Sequence, residues 1–151
     1  MILIDTNALI VLLLGLMDIR LINSHKTTSI YEEEDFHNLI DVISDIEKLV
    51  VLPNIWTEVD NLLNNFKCNY KYTYILRLAD VLKKSSEHYI ESKSVLEDYT
   101  FFDLGLTDSL LLQLAVECDF LITSDSRLSD YAIAKGVIVY DIVKERNKRL
   151  K

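Results

Sequence analysis

The chain opens on three consecutive apolar residues, Ile2-Leu3-Ile4, that close on Asp5, and a matching run, Phe120-Leu121-Ile122-Thr123, stands near its other end. Apolar runs without alternation fit strands of a parallel sheet covered on both faces, where neither side of the strand meets water. Leu49 to Leu52, stopped by Pro53, and Val137 to Tyr140 extend the set. Between these runs the apolar period becomes that of a helix. Thr6 or Asn7 can cap a helix running through about Leu16. Ser29 with Glu32 resembles a capping box, and the helix it would start puts Phe36, Leu39, Ile40, Ile43 and Ile46 on one face. Asn54 can cap a helix with Ile55, Val59, Leu62, Leu63 and Phe66 as its core stripe. Tyr72, Ile75, Leu76, Ala79 and Leu82 mark the buried face of another. Thr107 can cap a helix reaching Cys118, and Ser126 to Lys135 reads as a helix stopped by Gly136. Residues 18–28 have no clear period and read as a long loop, a candidate lid or substrate-facing element. Lys83 to Asp98 is charged and reads as helix or loop.

Strands and helices alternate except in the middle, which predicts a three-layer α/β fold with a central parallel sheet of about four to five strands flanked by helices. A length of 151 residues with one Pro, three Gly and no internal repeat predicts a single domain over residues 1–151. The apolar run Ala8 to Met17 follows an acid, lacks a basic leader and is too short to cross a bilayer, so a buried helix in a cytoplasmic protein without membrane association is expected. Cys68 and Cys118 have no ligand-like spacing and fit reduced thiols. His25, His37 and His88 form no pairing motif.

Against this apolar frame, four acids stand out. Asp5 ends the first strand-like run. Asp125 lies two residues beyond Thr123, at another strand's carboxyl end, where ligands gather in open parallel sheets. Asp108 falls in the first turn of its helix, which favours negative charge. At about 100° per residue, Leu111, Leu112 and Ala115 bracket Asp108 within the apolar arc. Glu58 lies at the border of its helix's core stripe, about 60° from Ile55, whereas Asp60 turns away. Each acid has an ordinary explanation taken alone: Asp5 as a cap, Asp125 as an N-cap or turn residue, Asp108 as a helix-start residue, Glu58 as an ion-pair partner. Together they point to one shared partner, because burying an unpaired carboxylate costs several kcal/mol.

Hard divalent cations, Mg²⁺ or Mn²⁺, take oxygen ligands of this type. Held beside a phosphodiester, such an ion polarises a phosphoryl oxygen and activates water. Asn7, Ser109 and Ser124 are placed to orient the carboxylates through hydrogen bonds. A metal-dependent phosphodiester nuclease is therefore the leading expectation.

The net charge of −8 is unusual for a nucleic-acid binder, which is normally basic. The charge is uneven, however. Acids crowd Glu32 to Glu47, and bases cluster at Lys67, Lys71, Arg77, Lys83 and Lys84 and in the tail from Lys144 to Lys151. Bound cations would offset part of the negative charge locally; the basic runs read equally well as solvated helix faces. A phosphatase of the two-aspartate type would want an Asp where Asn7 stands, and a phosphoacceptor domain would want a Lys near Ser124-Asp125-Ser126, so neither fits.

The segments Ile2-Leu3-Ile4-Asp5-Thr6-Asn7, Thr57-Glu58-Val59, Leu106-Thr107-Asp108-Ser109 and Leu121-Ile122-Thr123-Ser124-Asp125 resemble, in order and spacing, the four acidic motifs of PIN-domain ribonucleases. The resemblance implies a PIN-like sheet wrapped by helices and Mg²⁺- or Mn²⁺-dependent cleavage of RNA. Asp5, Glu58, Asp108 and Asp125 would be metal ligands, and Asn7 the polar residue of the first motif. Small members resemble VapC-type toxins, which implies a homodimer and an antitoxin protein as partner. The long stretches before Glu58 and from Asn69 to Tyr99 depart from that pattern, and Asp103 is an alternative ligand. The competing expectation is a catalytically silent PIN-like protein-interaction module, with Tyr70, Tyr72 and Tyr74 either at an interface or packed in the core.

Overall fold

The computed structural model describes all 151 residues. Five strands, β1 (Ile2–Ile4), β2 (Leu49–Val51), β3 (Ser86–Glu87), β4 (Phe120–Thr123) and β5 (Val139–Asp141), form one sheet in the order β3-β2-β1-β4-β5. Every neighbouring pair is parallel; Ile4 lies opposite Ile122, and Thr123 opposite Asp141. The three residues of β1 and of β2 are buried on both faces, as their unbroken apolar runs require.

Helix α1 (Thr6–Met17) follows β1 directly. Its cap is Asp5, whose Oδ1 accepts the Ala8 amide at 2.9 Å, and not Thr6 or Asn7 as expected. Ala8 to Leu14 are all buried, because α1 lies on the sheet and is covered by α2 (Leu21–Ser24), α3 (Glu33–Ile43), α4 (Pro53–Leu63) and α5 (Cys68–Lys84). Residues 18–28 are not a free loop. They contain α2, and Ile22 and Thr28 are fully buried, with Thr28 Oγ1 donating to the Ile22 carbonyl at 2.6 Å. The capping box falls three residues later than Ser29: Glu32 caps α3, and Asp35 accepts the Glu32 amide at 2.8 Å. A short 3₁₀ turn, Ile46–Lys48, leads into β2. Helix α4 starts at Pro53, whose fixed φ suits a first helical position, so Asn54 is inside the helix and is not its cap.

The largest departure is α5. Its buried residues are Tyr74 and Val81, while the predicted core stripe faces outward: Tyr72 is 70% exposed, and Ile75, Leu76 and Leu82 are exposed beside it. Tyr70 is exposed too, where its hydroxyl donates to Asp18 at 2.9 Å, so of the three tyrosines only Tyr74 joins the core. The charged stretch after α5 contains β3, a two-residue strand with exposed side chains, followed by a 3₁₀ turn at Ser92–Val95. Helix α6 (Tyr99–Leu104) then turns at Gly105, with φ +84°, into α7 (Leu106–Ala115). Helix α8 (Ser126–Ala134) ends as expected near Gly136, which adopts φ +82°.

The basic tail is α9 (Ile142–Arg149), capped by Asp141. Arg149 pairs with Glu32, Glu34 and buried Asp35 at 3.0–3.3 Å, Lys144 reaches Asp130, and Lys148 reaches Glu145. The tail thus ties down the acidic N-terminus of α3. No helix is long and apolar enough to cross a membrane.

The strand order has a geometric consequence. From β1 the chain moves to β2 and β3 on one side; from β4 it moves to β5 on the other. Right-handed crossovers then place α1 and α8 on opposite faces and open a crevice beyond the carboxyl ends of β1 and β4. Asp5 and Asp125 are the residues at that switch point.

Candidate functional site

A cavity of about 410 Å³ lies there, lined by Asp5, Asn7, Glu58, Asp108 and Asp125, with Thr6 and Thr107 between them and Leu62, Leu104, Leu106 and Leu111 as apolar wall. The four acids singled out from the sequence, drawn from β1, α4, α7 and the end of β4, share this one cavity. No Lys, Arg or His lines it, and none of the four makes an ion pair.

Each carboxylate is held differently. Asp5, only 6% exposed, is fixed on both oxygens. Oδ1 accepts from Ala8, and Oδ2 accepts the Thr123 hydroxyl and, at 3.1 Å, the Ser124 amide. Thr123 Oγ1 in turn accepts the Asp125 amide at 3.0 Å, so one hydroxyl links the two acids. Glu58 accepts the Thr6 hydroxyl at 2.5 Å and the Thr107 hydroxyl at 2.9 Å, one on each oxygen. Asp125 caps α8 through Oδ1, which accepts the Arg127 and Leu128 amides at 2.8 and 3.2 Å, and leaves Oδ2 free. Asp108 has no hydrogen-bonding partner. The ordinary roles and the shared cavity therefore coexist: Asp5 and Asp125 are helix caps and cavity walls at once.

The electrostatics reflect the crowding. Burial raises the Asp5 pKa from its ordinary 3.8 to about 6 against the opposing pull of Thr123, Ala8 and Ser124, and neighbouring Asp125 pushes it further up. Asp108 is also raised to about 6, first by burial and then by the charges of Asp125, Asp5 and Glu58. Its response to all three other acids places it within reach of their fields.

The donor set fits a hard divalent cation: four carboxylates, hydroxyl and amide oxygens, and no competing cation. As the side chains stand, however, no three acidic, histidine or cysteine groups are gathered closely enough to hold an ion. Asp5, Glu58 and one oxygen of Asp125 are each engaged by donors of the protein itself.

Asn7 lines the cavity, and its side chain makes no hydrogen bond. Ser124 supports Asp5 through its backbone amide, not its hydroxyl. Ser109 does not support a carboxylate; its hydroxyl is buried in α7 without a partner. The supporting hydroxyls are instead Thr6, Thr107 and Thr123, each within two residues of Asp5, Asp108 or Asp125 in the sequence. Asp103 is outside the cavity and exposed, accepting a hydrogen bond from Tyr131. No protein-family model matches the chain, and no curated protein matches it in sequence.

Proposed function

We propose that the chain is a Mg²⁺- or Mn²⁺-dependent nuclease that hydrolyses RNA phosphodiester bonds, with Asp5, Glu58, Asp108 and Asp125 as metal ligands. One observation carries the reading: four carboxylates from distant parts of the chain line a single cavity at the topological switch point, with no basic side chain to neutralise them. The ordered resemblance to PIN-domain ribonucleases supports RNA as the substrate. A bound divalent ion would supply Lewis-acid activation of the phosphodiester and of water. The chain's own residues do the positioning. Thr123 and the Ser124 amide hold Asp5, Thr6 and Thr107 hold Glu58, and the α8 amides hold one oxygen of Asp125. Asp108 and the second Asp125 oxygen remain available. The leucine wall lowers the local dielectric, which strengthens attraction between the carboxylates and a cation.

The test is cleavage of single-stranded RNA with Mn²⁺, with and without chelator. Chelator-sensitive cleavage that disappears in both Asp5→Asn and Asp108→Asn, each still folded, is the expected result. Undiminished cleavage by both variants overturns the proposal.

A second reading, a non-catalytic interaction module, draws on α5, whose outer face carries Tyr72, Ile75, Leu76 and Leu82 with no partner in the fold. It predicts no change of melting temperature with Mn²⁺.

A further inference from the structure

The cavity that holds the acids does not end at them. Leu106 and Thr107 also line a second cavity of about 170 Å³, together with Leu52, Pro53, Asn54, Tyr89, Ile90, Ser92 and Leu110. Its position follows from the strand order. Leu52 follows β2 and Tyr89-Ile90 follow β3, so this slot lies beyond the carboxyl ends of β2 and β3, the two strands to one side of β1, on the same edge of the sheet as Asp5. Strands are spaced about 4.8 Å apart, so the slot begins roughly 5–10 Å along that edge from the acidic centre.

The chemistry of the slot differs from that of the acidic cavity. Its floor and walls are apolar: Leu52, Pro53, Ile90, Leu106 and Leu110. At its rim Tyr89 is 80% exposed and pairs with no other aromatic ring of the chain. Three further polar side chains, Asn54, Ser92 and Thr107, line the same space, and no charged group does. An apolar slot with a few converging polar groups suits a planar ligand read at its edge. An unpaired aromatic ring offers a stacking surface for any base, and an amide offers both a donor and an acceptor. Asn54 further connects the slot to the acids: its Nδ2 donates to Thr107 Oγ1 at 3.4 Å, and Thr107 donates to Glu58.

We infer that this slot is a nucleobase subsite, in which Tyr89 stacks on a base next to the phosphodiester bound at the four acids and Asn54 reads its edge. The inference rests on the nuclease reading for its connection to cleavage, but not for binding of the base itself. Tyr89 and Asn54 are positioning and specificity residues; neither reaches the reacting phosphate. Since Asn54 touches Thr107, occupancy of the slot is transmitted to the Glu58 carboxylate.

The first experiment uses the four ribonucleosides, which carry no phosphate, titrated into the ¹⁵N-labelled chain without metal. Amide shifts confined to Leu52, Asn54 and residues 89–92 and 106–107, lost in Tyr89→Ala and kept in Tyr89→Phe, are expected. No shifts, shifts elsewhere, or unchanged binding by Tyr89→Ala overturns the subsite. The second experiment is steady-state cleavage of single-stranded oligoribonucleotides. Tyr89→Ala is expected to raise KM roughly tenfold with kcat within about twofold, the range set by loss of one base stack, and Asn54→Ala to flatten base preference beside the cut. Nucleoside binding without any RNA cleavage leaves the subsite standing and removes the nuclease. Cleavage with both variants behaving as wild type in both assays does the reverse.

Discussion

Replacing Asp108 by Asn is expected to stabilise the metal-free protein while destroying the proposed activity. Asp108 has no hydrogen bond to lose, and its charge is opposed by burial and by Asp125, Asp5 and Glu58, which together hold its pKa near 6 against an ordinary 3.8. A displacement of that size corresponds to about 3 kcal/mol at 1.36 kcal/mol per pH unit for a fully enclosed group. Asp108 is only half-buried, so solvent screening reduces this to about 1–1.5 kcal/mol. The native state keeps the proton to higher pH than the unfolded chain does. The stabilisation it brings is therefore complete below about 3.8 and is lost as pH rises through about 6. Asn cannot lose it. Thermal melts followed by circular dichroism in chelator should show wild type and variant nearly matched at about pH 3.5, below the ordinary carboxyl value. At pH 8 the variant should melt roughly 2–6 °C higher, at about 2–4 °C per kcal/mol for a chain of this size. Mn²⁺ should then raise the wild-type midpoint and move the variant less. A variant that is less stable than wild type at pH 8, or a difference that does not change with pH, would refute the electrostatic reasoning.

Other consequences are equally direct. A Cβ on Gly15 would stand 2.1 Å from the Phe36 ring, so Gly15→Ala should lower stability by ~1–3 kcal/mol in spite of alanine's helix preference, and a second change, Phe36→Leu, should recover part of the loss in urea unfolding. Arg149→Met strips buried Asp35 of its cation and should lower the melting temperature; adding Asp35→Asn should return part of the loss. Thr107→Val removes one of the two hydroxyls on Glu58 and should weaken Mn²⁺-induced stabilisation several-fold with little change in the metal-free melting temperature.

The unbroken apolar runs made β1, β2 and β4 readable from sequence, and β5 was found shifted by one or two residues. The acids were readable because each sat where an apolar environment should have excluded it. Strand β3 was not, since Ser86 and Glu87 are polar and exposed and pair only through backbone. Helix α5 was misread because it carries apolar residues on both faces: the wider stripe, Tyr72 to Leu82, lost to Tyr74 and Val81, and periodicity alone cannot tell which face meets the core. For the start of α1 the sequence offers Thr6, Asn7 and Asp5 as caps, and only the geometry selects Asp5, whose carboxylate accepts the Ala8 amide. The threonines are concealed in the same way: Thr6 and Thr107 read as helix starts and Thr123 as a strand end, and none of them as a donor to a carboxylate.

The middle of the sheet is also its oldest part in synthesis. Strand β1 emerges first, finds β2 after some fifty residues, and gains its other neighbour, β4, only when residues 120–123 are made. Until then one edge of a fully apolar strand stands open, with its amides and carbonyls ready to pair with any extended segment nearby. Pairings of such long sequence separation are slow to form. A nascent or truncated chain ending before Phe120 should consequently be retained by holding chaperones or precipitate, while the finished chain closes its sheet around the strand it made first.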